Sequence, residues 1–148
     1  MTVRSGPDLS ERTRDRTHGV PVPFACERDD GDPDLATVVK KRAIQCALSR
    51  ICGLCGLPLT YGVTLVGSPA EAEANAFHFP PLHHECAHAA LGLYPPLEVP
   101  VLGQPAVTHE WALVVTGGFE LVRPARRTAD MRVEFHPNAV SENLRLTA

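Results

Sequence analysis

Two short clusters of cysteine and histidine constrain this chain more than any other feature: Cys52-Gly53-Leu54-Cys55-Gly56 and, beginning 27 residues after Gly56, His83-His84-Glu85-Cys86. Two cysteines separated by two residues grip one ion from a tight turn. A histidine and a cysteine at i and i+3 grip it from the first turn of a helix. Joined, they make a Cys3His set, with Cys52, Cys55, His83 and Cys86 as metal ligands and Zn2+ as the expected cofactor. Gly56 follows the second cysteine, where positive φ costs nothing, and amides of such a turn donate to the sulfurs. Pro80-Pro81 stops the preceding segment and pre-sets a helix. Its unpaired N–H groups and positive dipole end favour the Cys86 thiolate. His84 is an alternative to His83, but the i, i+3 spacing matches the helix turn better. A knuckle, a β-hairpin and ligands from a helix N-terminus are the plan of a treble-clef zinc finger. A hairpin accounts for the gap between the clusters.

The expected fold class is therefore α+β: a treble-clef finger with a preceding helix and a C-terminal β extension. The boundaries read as a disordered leader over 1–33, a zinc-binding core over 34–100 and a β-rich extension over 101–148. The leader holds much of the polar content, and residues 1–34 carry five Arg against eight Asp or Glu. Mixed charge with little apolar content predicts disorder, although Val20-Pro-Val-Pro-Phe24 has the character to dock locally. The remainder is balanced, so the chain lacks the basic excess of a strong, non-specific nucleic-acid binder. Aromatic residues are only 5% of the chain, so the core must come from Val, Leu, Ala and Ile. In such a core a bound ion adds folding energy.

From Asp34, Leu35, Val38, Val39, Ala43, Ile44, Ala47, Leu48 and Ile51 recur at three- and four-residue steps. This predicts a helix of about four turns capped by Asp34. Val63–Val66 reads as a strand, residues 70–76 as a loop or short helical turn, Ala76–Phe79 as a second strand, and His83–Leu93 as a helix. Farther on, Trp111–Thr116 and Phe119–Val122 read as a hairpin through Gly117-Gly118. Arg123–Arg127 reads as a basic loop, Met131–Phe135 as a third strand and 138–146 as a short closing helix. Five cysteines with a C-x-x-C fit a reduced compartment and a metal better than a disulfide scaffold. No apolar run suits a signal segment or a membrane span. The expected location is the cytoplasm, with no membrane partner.

His84-Glu85-Cys86-Ala87-His88 also satisfies H-E-x-x-H, in which two histidines hold zinc and the glutamate acts as general base. Against it, the proline pair begins the helix almost at the motif. Leu91 and Tyr94 stand where an extended form needs glycine and histidine, and Cys52 and Cys55 go unexplained. A deaminase needs its Pro-Cys-x-x-Cys after H-x-E, whereas here the only C-x-x-C comes before. His78, His88 and Asn75 form no diagnostic arrangement of a His-Asn-His nuclease.

Ile51-Cys52-Gly-Leu-Cys55-Gly56-Leu-Pro-Leu59, Pro80-Pro81-Leu-His83-His-Glu85-Cys86-Ala87 and Tyr94-Pro95-Pro96-Leu97 together resemble a family of small proteins of actinobacteria and their phages. The Trp111 strand and Val133-Glu-Phe135 are similar to the family's C-terminal part. The resemblance favours His83 over His84 and implies a zinc-binding fold, but no particular activity. Two family-like cysteines are absent here, one near Gly67-Ser68-Pro69 and one replaced by Tyr94. A closed four-ligand site leaves no open position for catalysis. The expected function is thus that of a non-enzymatic structural-zinc adaptor or regulator. Its partner is a protein or a nucleic acid, with Lys40-Lys41-Arg42 and Arg123–Arg127 as candidate phosphate contacts. The alternative is a zinc-dependent hydrolase using Glu85.

Overall fold

The computed structural model describes residues 7–123 and 132–148. Arg126, Arg127 and Met131, to which the sequence assigned a basic loop and a strand start, lie outside the described residues. The chain is mixed α and β. Helix α1 spans Lys40–Ser49, strand β1 Val63–Gly67, helix α2 Pro69–Ala74 and helix α3 His84–Leu93. Strands β2 (Glu110–Thr116), β3 (Phe119–Val122), β4 (Glu134–Pro137) and β5 (Val140–Thr147) follow, and 3-10 turns occur at Phe24–Cys26 and Pro95–Leu97.

One antiparallel sheet organises the molecule. Its strand order is β1-β2-β5, and β3 and β4 form a separate two-stranded sheet. Both faces of the larger sheet are buried around β2. Val66 opposes Leu113 and Leu65 opposes Val114, and each pair faces a different core. Val66, Trp111 and Leu113 join a large cluster with Cys52, Leu54, Leu82, Cys86 and Tyr94. Leu65 and Val114 join a smaller one with Ala43, Phe77, Val133 and Phe135. A strand covered on both sides reads as a continuous apolar run rather than an alternating one, as Val63-Thr-Leu-Val66 and Trp111-Ala-Leu-Val-Val115 do.

That sheet overturns the expected pairings. Ala76–Phe79 is not a strand partner of β1. Within it Phe77 bridges Phe135, while Thr64 of β1 bridges Leu82. The hairpin required by the treble-clef plan is therefore not formed by these segments. Nor do β2 and β3 pair with each other: β2 is taken on both edges by β1 and β5, so β3 turns away to β4. Gly117-Gly118 instead packs on the turn between β4 and β5. Gly117 N–H donates to Ala139 O at 2.9 Å, and Asn138 N–H donates to Gly118 O at 3.1 Å. The expected closing helix over 138–146 is strand β5, and the strand expected from Met131 is formed by Glu134–Pro137.

Helix boundaries follow local chemistry. Asp34 Oδ1 accepts from the amides of Ala36 and Thr37, closing a local turn instead of capping a helix. The helix then starts six residues later, at Lys40, and Leu35 is buried outside it. Most of residues 70–76 belongs to α2, whose capping box joins Ser68 and Glu71 reciprocally. Helix α3 ends at Leu93 before Tyr94-Pro95-Pro96, and His83 is its N-cap residue.

The segment expected as a disordered leader also contributes to the core. Val22, Ala25 and Cys26 are buried in the large cluster. Phe24 and Ala25 donate backbone hydrogen bonds to Leu54 O (3.0 Å) and Gly53 O (2.9 Å), and the Tyr94 hydroxyl donates to Pro21 O. The Val20–Phe24 patch docks as an extended support on the cysteine turn. The charged residues around it stay outside: Arg12 pairs with Glu27, and Arg16, Asp29 and Asp32 are exposed.

Candidate metal centre

Each half of the centre is built by short-range backbone chemistry. In the first, Cys52 N–H donates to Leu57 O at 2.9 Å, Gly56 N–H to Cys52 O at 3.0 Å and Leu59 N–H to Arg50 O at 2.7 Å. These bonds curl residues 50–59 into a knuckle. Gly56 has φ +76°, and a Cβ there would also meet the Phe24 ring at 2.8 Å. Glycine is thus required both by conformation and by the leader packed against the turn. In the second half, helix α3 begins at His84, with His83 just outside it in extended geometry. Cys86 sits in the first turn and points inward, buried.

Three tethers join the halves. Gly53 N–H donates to Pro81 O at 2.9 Å. Thr64 and Leu82 exchange two backbone bonds of 2.9 and 2.8 Å. His83 Nε2 bonds Pro58 O at 2.9 Å. The last contact selects a tautomer: Nε2 carries the proton and donates it to the carbonyl, leaving the Nδ1 lone pair for the centre. Nδ1 lies 3.4 Å from Cys55 Sγ and 3.6 Å from Cys86 Sγ. The ligand atoms of Cys52, Cys55, His83 and Cys86 all lie within 4.8 Å of one another, the one such group among the described residues. A tetrahedral ion with sulfur ligands at about 2.3 Å places neighbouring sulfurs about 3.8 Å apart, so this donor set fits. These four residues can hold a metal ion.

Electrostatics point the same way. Burial opposes charge on Cys52, but hydrogen bonds from Cys55, Cys86 and backbone amides outweigh it and hold the Cys52 thiol well below its ordinary range. Leu54 N–H also donates to Cys52 Sγ, at 3.4 Å. Cys86 is pushed far up, first by its thiol bonds to Cys52 and Cys55 and then by burial. The sulfurs are too close to ionise together, so one takes the charge and its neighbour keeps its proton. A divalent cation relieves this crowding and displaces the proton. The remaining cysteines behave differently. Cys46 is pushed up to about 12, mainly by burial, and Cys26 is raised by burial too. These are the inert thiols of the interior.

The H-E-x-x-H residues are not assembled as a site. His84, Glu85 and His88 are exposed, whereas Cys86, the motif's central residue, belongs to the cysteine cluster. His84 Nδ1 bonds Thr64 Oγ1 at 3.2 Å, and its ring meets that of His88 edge-on at 4.7 Å.

Sequence reasoning missed a second polar cluster across the sheet. Glu71 accepts from Ser68 N–H (2.8 Å), His78 N–H (3.0 Å) and Gln104 Nε2 (2.7 Å). Its Oε2 also meets His78 Nδ1 at 2.7 Å. These bonds outweigh burial and lower the Glu71 pKa. The capping-box spacing of Ser68 and Glu71 was its only sequence signal. The basic run Lys40-Lys41-Arg42 is partly neutralised, since Lys41 pairs with Asp29 at 2.7 Å and Arg42 with Glu27 at 3.1 Å. Among the described residues no helix is long and apolar enough to cross a membrane. Comparisons with models of protein families, with curated proteins and with solved structures returned no match.

Proposed function

We infer that the protein is a structural-zinc protein without catalytic chemistry at its metal centre, and that it works by binding a macromolecular partner. The observation that carries this reading is the His83 geometry. With Nε2 bonded to Pro58 O, Nδ1 turned to the sulfurs of Cys55 and Cys86 and the Cys52 sulfur within the same cluster, four protein donors would complete a tetrahedron and leave no position for water or substrate. Thiolate-rich sets suit zinc among the available divalent ions. The knuckle and the start of α3 support a treble-clef type of site, in which the Thr64–Leu82 bridge takes the place of a full hairpin. The resemblance to the actinobacterial and phage family is part of the same proposal.

A protein partner fits better than a nucleic acid. Two of the three residues in the Lys40–Arg42 run are already paired with carboxylates. Large apolar side chains stand out beside the knuckle: Leu57 is 60% exposed and Tyr61 95% exposed. Such surfaces suit docking of another protein more than contact with phosphate.

X-ray absorption at the zinc edge tests the centre, with three sulfurs and one nitrogen expected. A sulfur-free shell would return the site to the His84 and His88 alternative. Glu85→Gln is expected to leave metal content and stability unchanged, whereas the hydrolase alternative requires it to abolish an activity. Fluorescence anisotropy with labelled duplex and single-stranded DNA separates the partner classes. No binding at low salt is expected, and a salt-dependent complex would favour nucleic acid.

A further inference from the structure

Helix α3 carries two imidazoles that take no part in the cysteine cluster. His84 and His88 stand one turn apart, at i and i+4, so they share a face of the helix. Both are exposed. Their ring centres are 4.7 Å apart. Two imidazoles that share one ion, each bound at about 2.0–2.1 Å, have ring centres about 3.2 Å from it. Ligands about 90–110° apart then place those centres about 4.5–5.2 Å from one another. The observed separation falls in that range.

Thr64 backs His84 from inside. Its Oγ1 lies 3.2 Å from His84 Nδ1. Thr64 is buried in β1, and its backbone is fixed to Leu82, on the approach to the same helix. A metal-bound histidine characteristically gives its other ring N–H to an oxygen, which fixes the tautomer and orients the ring. Thr64 supplies that oxygen here, and Nε2 is the atom left for an ion. His88 makes no hydrogen bond among the described residues, so its nitrogens are not engaged elsewhere. Glu85 stands outside the pair, because adjacent residues of a helix do not face each other. Cys86 is buried in the large core cluster. The pair therefore has ligands but no general base, which separates it from the hydrolase alternative.

We propose that His84 and His88 form an open metal site on the surface of α3, separate from the cysteine cluster. It takes a late first-row divalent ion of the kind that imidazole prefers, such as Ni2+, Cu2+ or Zn2+. Two protein ligands leave the remaining coordination positions to water or to a donor from outside the chain. Its ion is therefore exchangeable, in contrast to one enclosed by four protein donors. The site shares no ligand with the cysteine cluster and does not depend on what that cluster holds.

Titration of the full, zinc-loaded chain with Ni2+ tests the proposal, read by NMR of the imidazole signals and by zinc analysis of the same samples. Saturable binding is expected, with paramagnetic broadening that begins at His84 and His88, spares His18, His109 and His136, and releases no zinc. Excess Mg2+ should not compete, because it prefers oxygen donors. His88→Asn should weaken nickel at least about tenfold, and Thr64→Val, which keeps the side-chain shape but removes the oxygen, about tenfold. His88 is exposed, so His88→Asn should keep its zinc and the parent thermal midpoint. Absence of saturable binding, broadening that begins at another histidine, nickel uptake only in step with zinc release, or an unaffected His88→Asn or Thr64→Val variant would each overturn the proposal. The zinc count reports on the cysteine cluster separately.

Discussion

The two faces of the β1-β2-β5 sheet are stabilised by different means. Among the described residues, the face toward α3 carries 18 buried core residues and the other six. Yet the larger cluster has the less regular backbone, assembled from the leader, the knuckle, the 79–82 approach and the 101–102 loop. Its parts meet through isolated bonds, and four side chains that can hold a metal ion come from two of them. The smaller cluster is closed by the Phe77–Phe135 bridge, by α1 and by the Glu71 hub, with no cross-link. The one group of side chains able to hold a cation among the described residues thus lies where the chain is irregular, and aromatic packing suffices where regular elements meet.

The sharpest way to break this comparison is to remove one sulfur. Cys52→Ser should abolish stoichiometric metal binding. Apparent zinc binding energies of about 10–16 kcal/mol at such sites exceed or match the whole stability of a small domain. Metal analysis together with circular dichroism should therefore show loss of metal and loss of cooperative folding, and chelation of the parent chain should do the same. A compact, cooperative chelated protein would contradict the division between the faces. Phe135→Ala probes the other side. Truncating this fully buried ring should cost about 3–5 kcal/mol, measured by urea denaturation, with metal content unchanged.

A smaller effect is expected at Glu71. Glu71→Gln should cost about 1–3 kcal/mol at neutral pH, because buried donors lose a charged acceptor. The folded pKa of Glu71 lies below its ordinary value of 4.5. Its contribution is therefore complete above that value and is lost as pH falls through the folded one. The stability gap between parent and variant should close as pH falls below about 4.5 and through the lowered folded value. A gap that stays open in strong acid would show that Glu71 is not held as a carboxylate.

Local signals were legible where a residue type has one dominant physical consequence. Pro80-Pro81 and Pro95-Pro96 bracket α3 because proline cannot continue a helix from within. The C-x-x-C-G turn and the His83–Cys86 spacing placed four donors in reach of one another. Where two local outcomes were close in energy, the reading failed. Asp34 serves a helix cap and a closed turn equally well, and the turn won. Val140, Leu144 and Leu146 suit a short helix or an edge strand, and the exposed strand on β2 was decided by β2 itself. The leader was misread because composition averaged Val20–Phe24 with the charges around it.

The sequence alone determined the donor set, its spacing and the turn and helix start that present it, because thiolate spacing, glycine and proline act over a few residues. Strand pairing was settled only in three dimensions. Whether Trp111–Thr116 joins Phe119–Val122 or is shared between β1 and β5 depends on which arrangement buries both of its apolar faces, and no local rule contains that choice. The same holds for the leader, which packs on the knuckle through the carbonyls of Gly53 and Leu54 and on Tyr94 through Pro21 O. The Glu71 hub is likewise a product of tertiary structure, since Ser68, His78 and Gln104 come to it from separate segments.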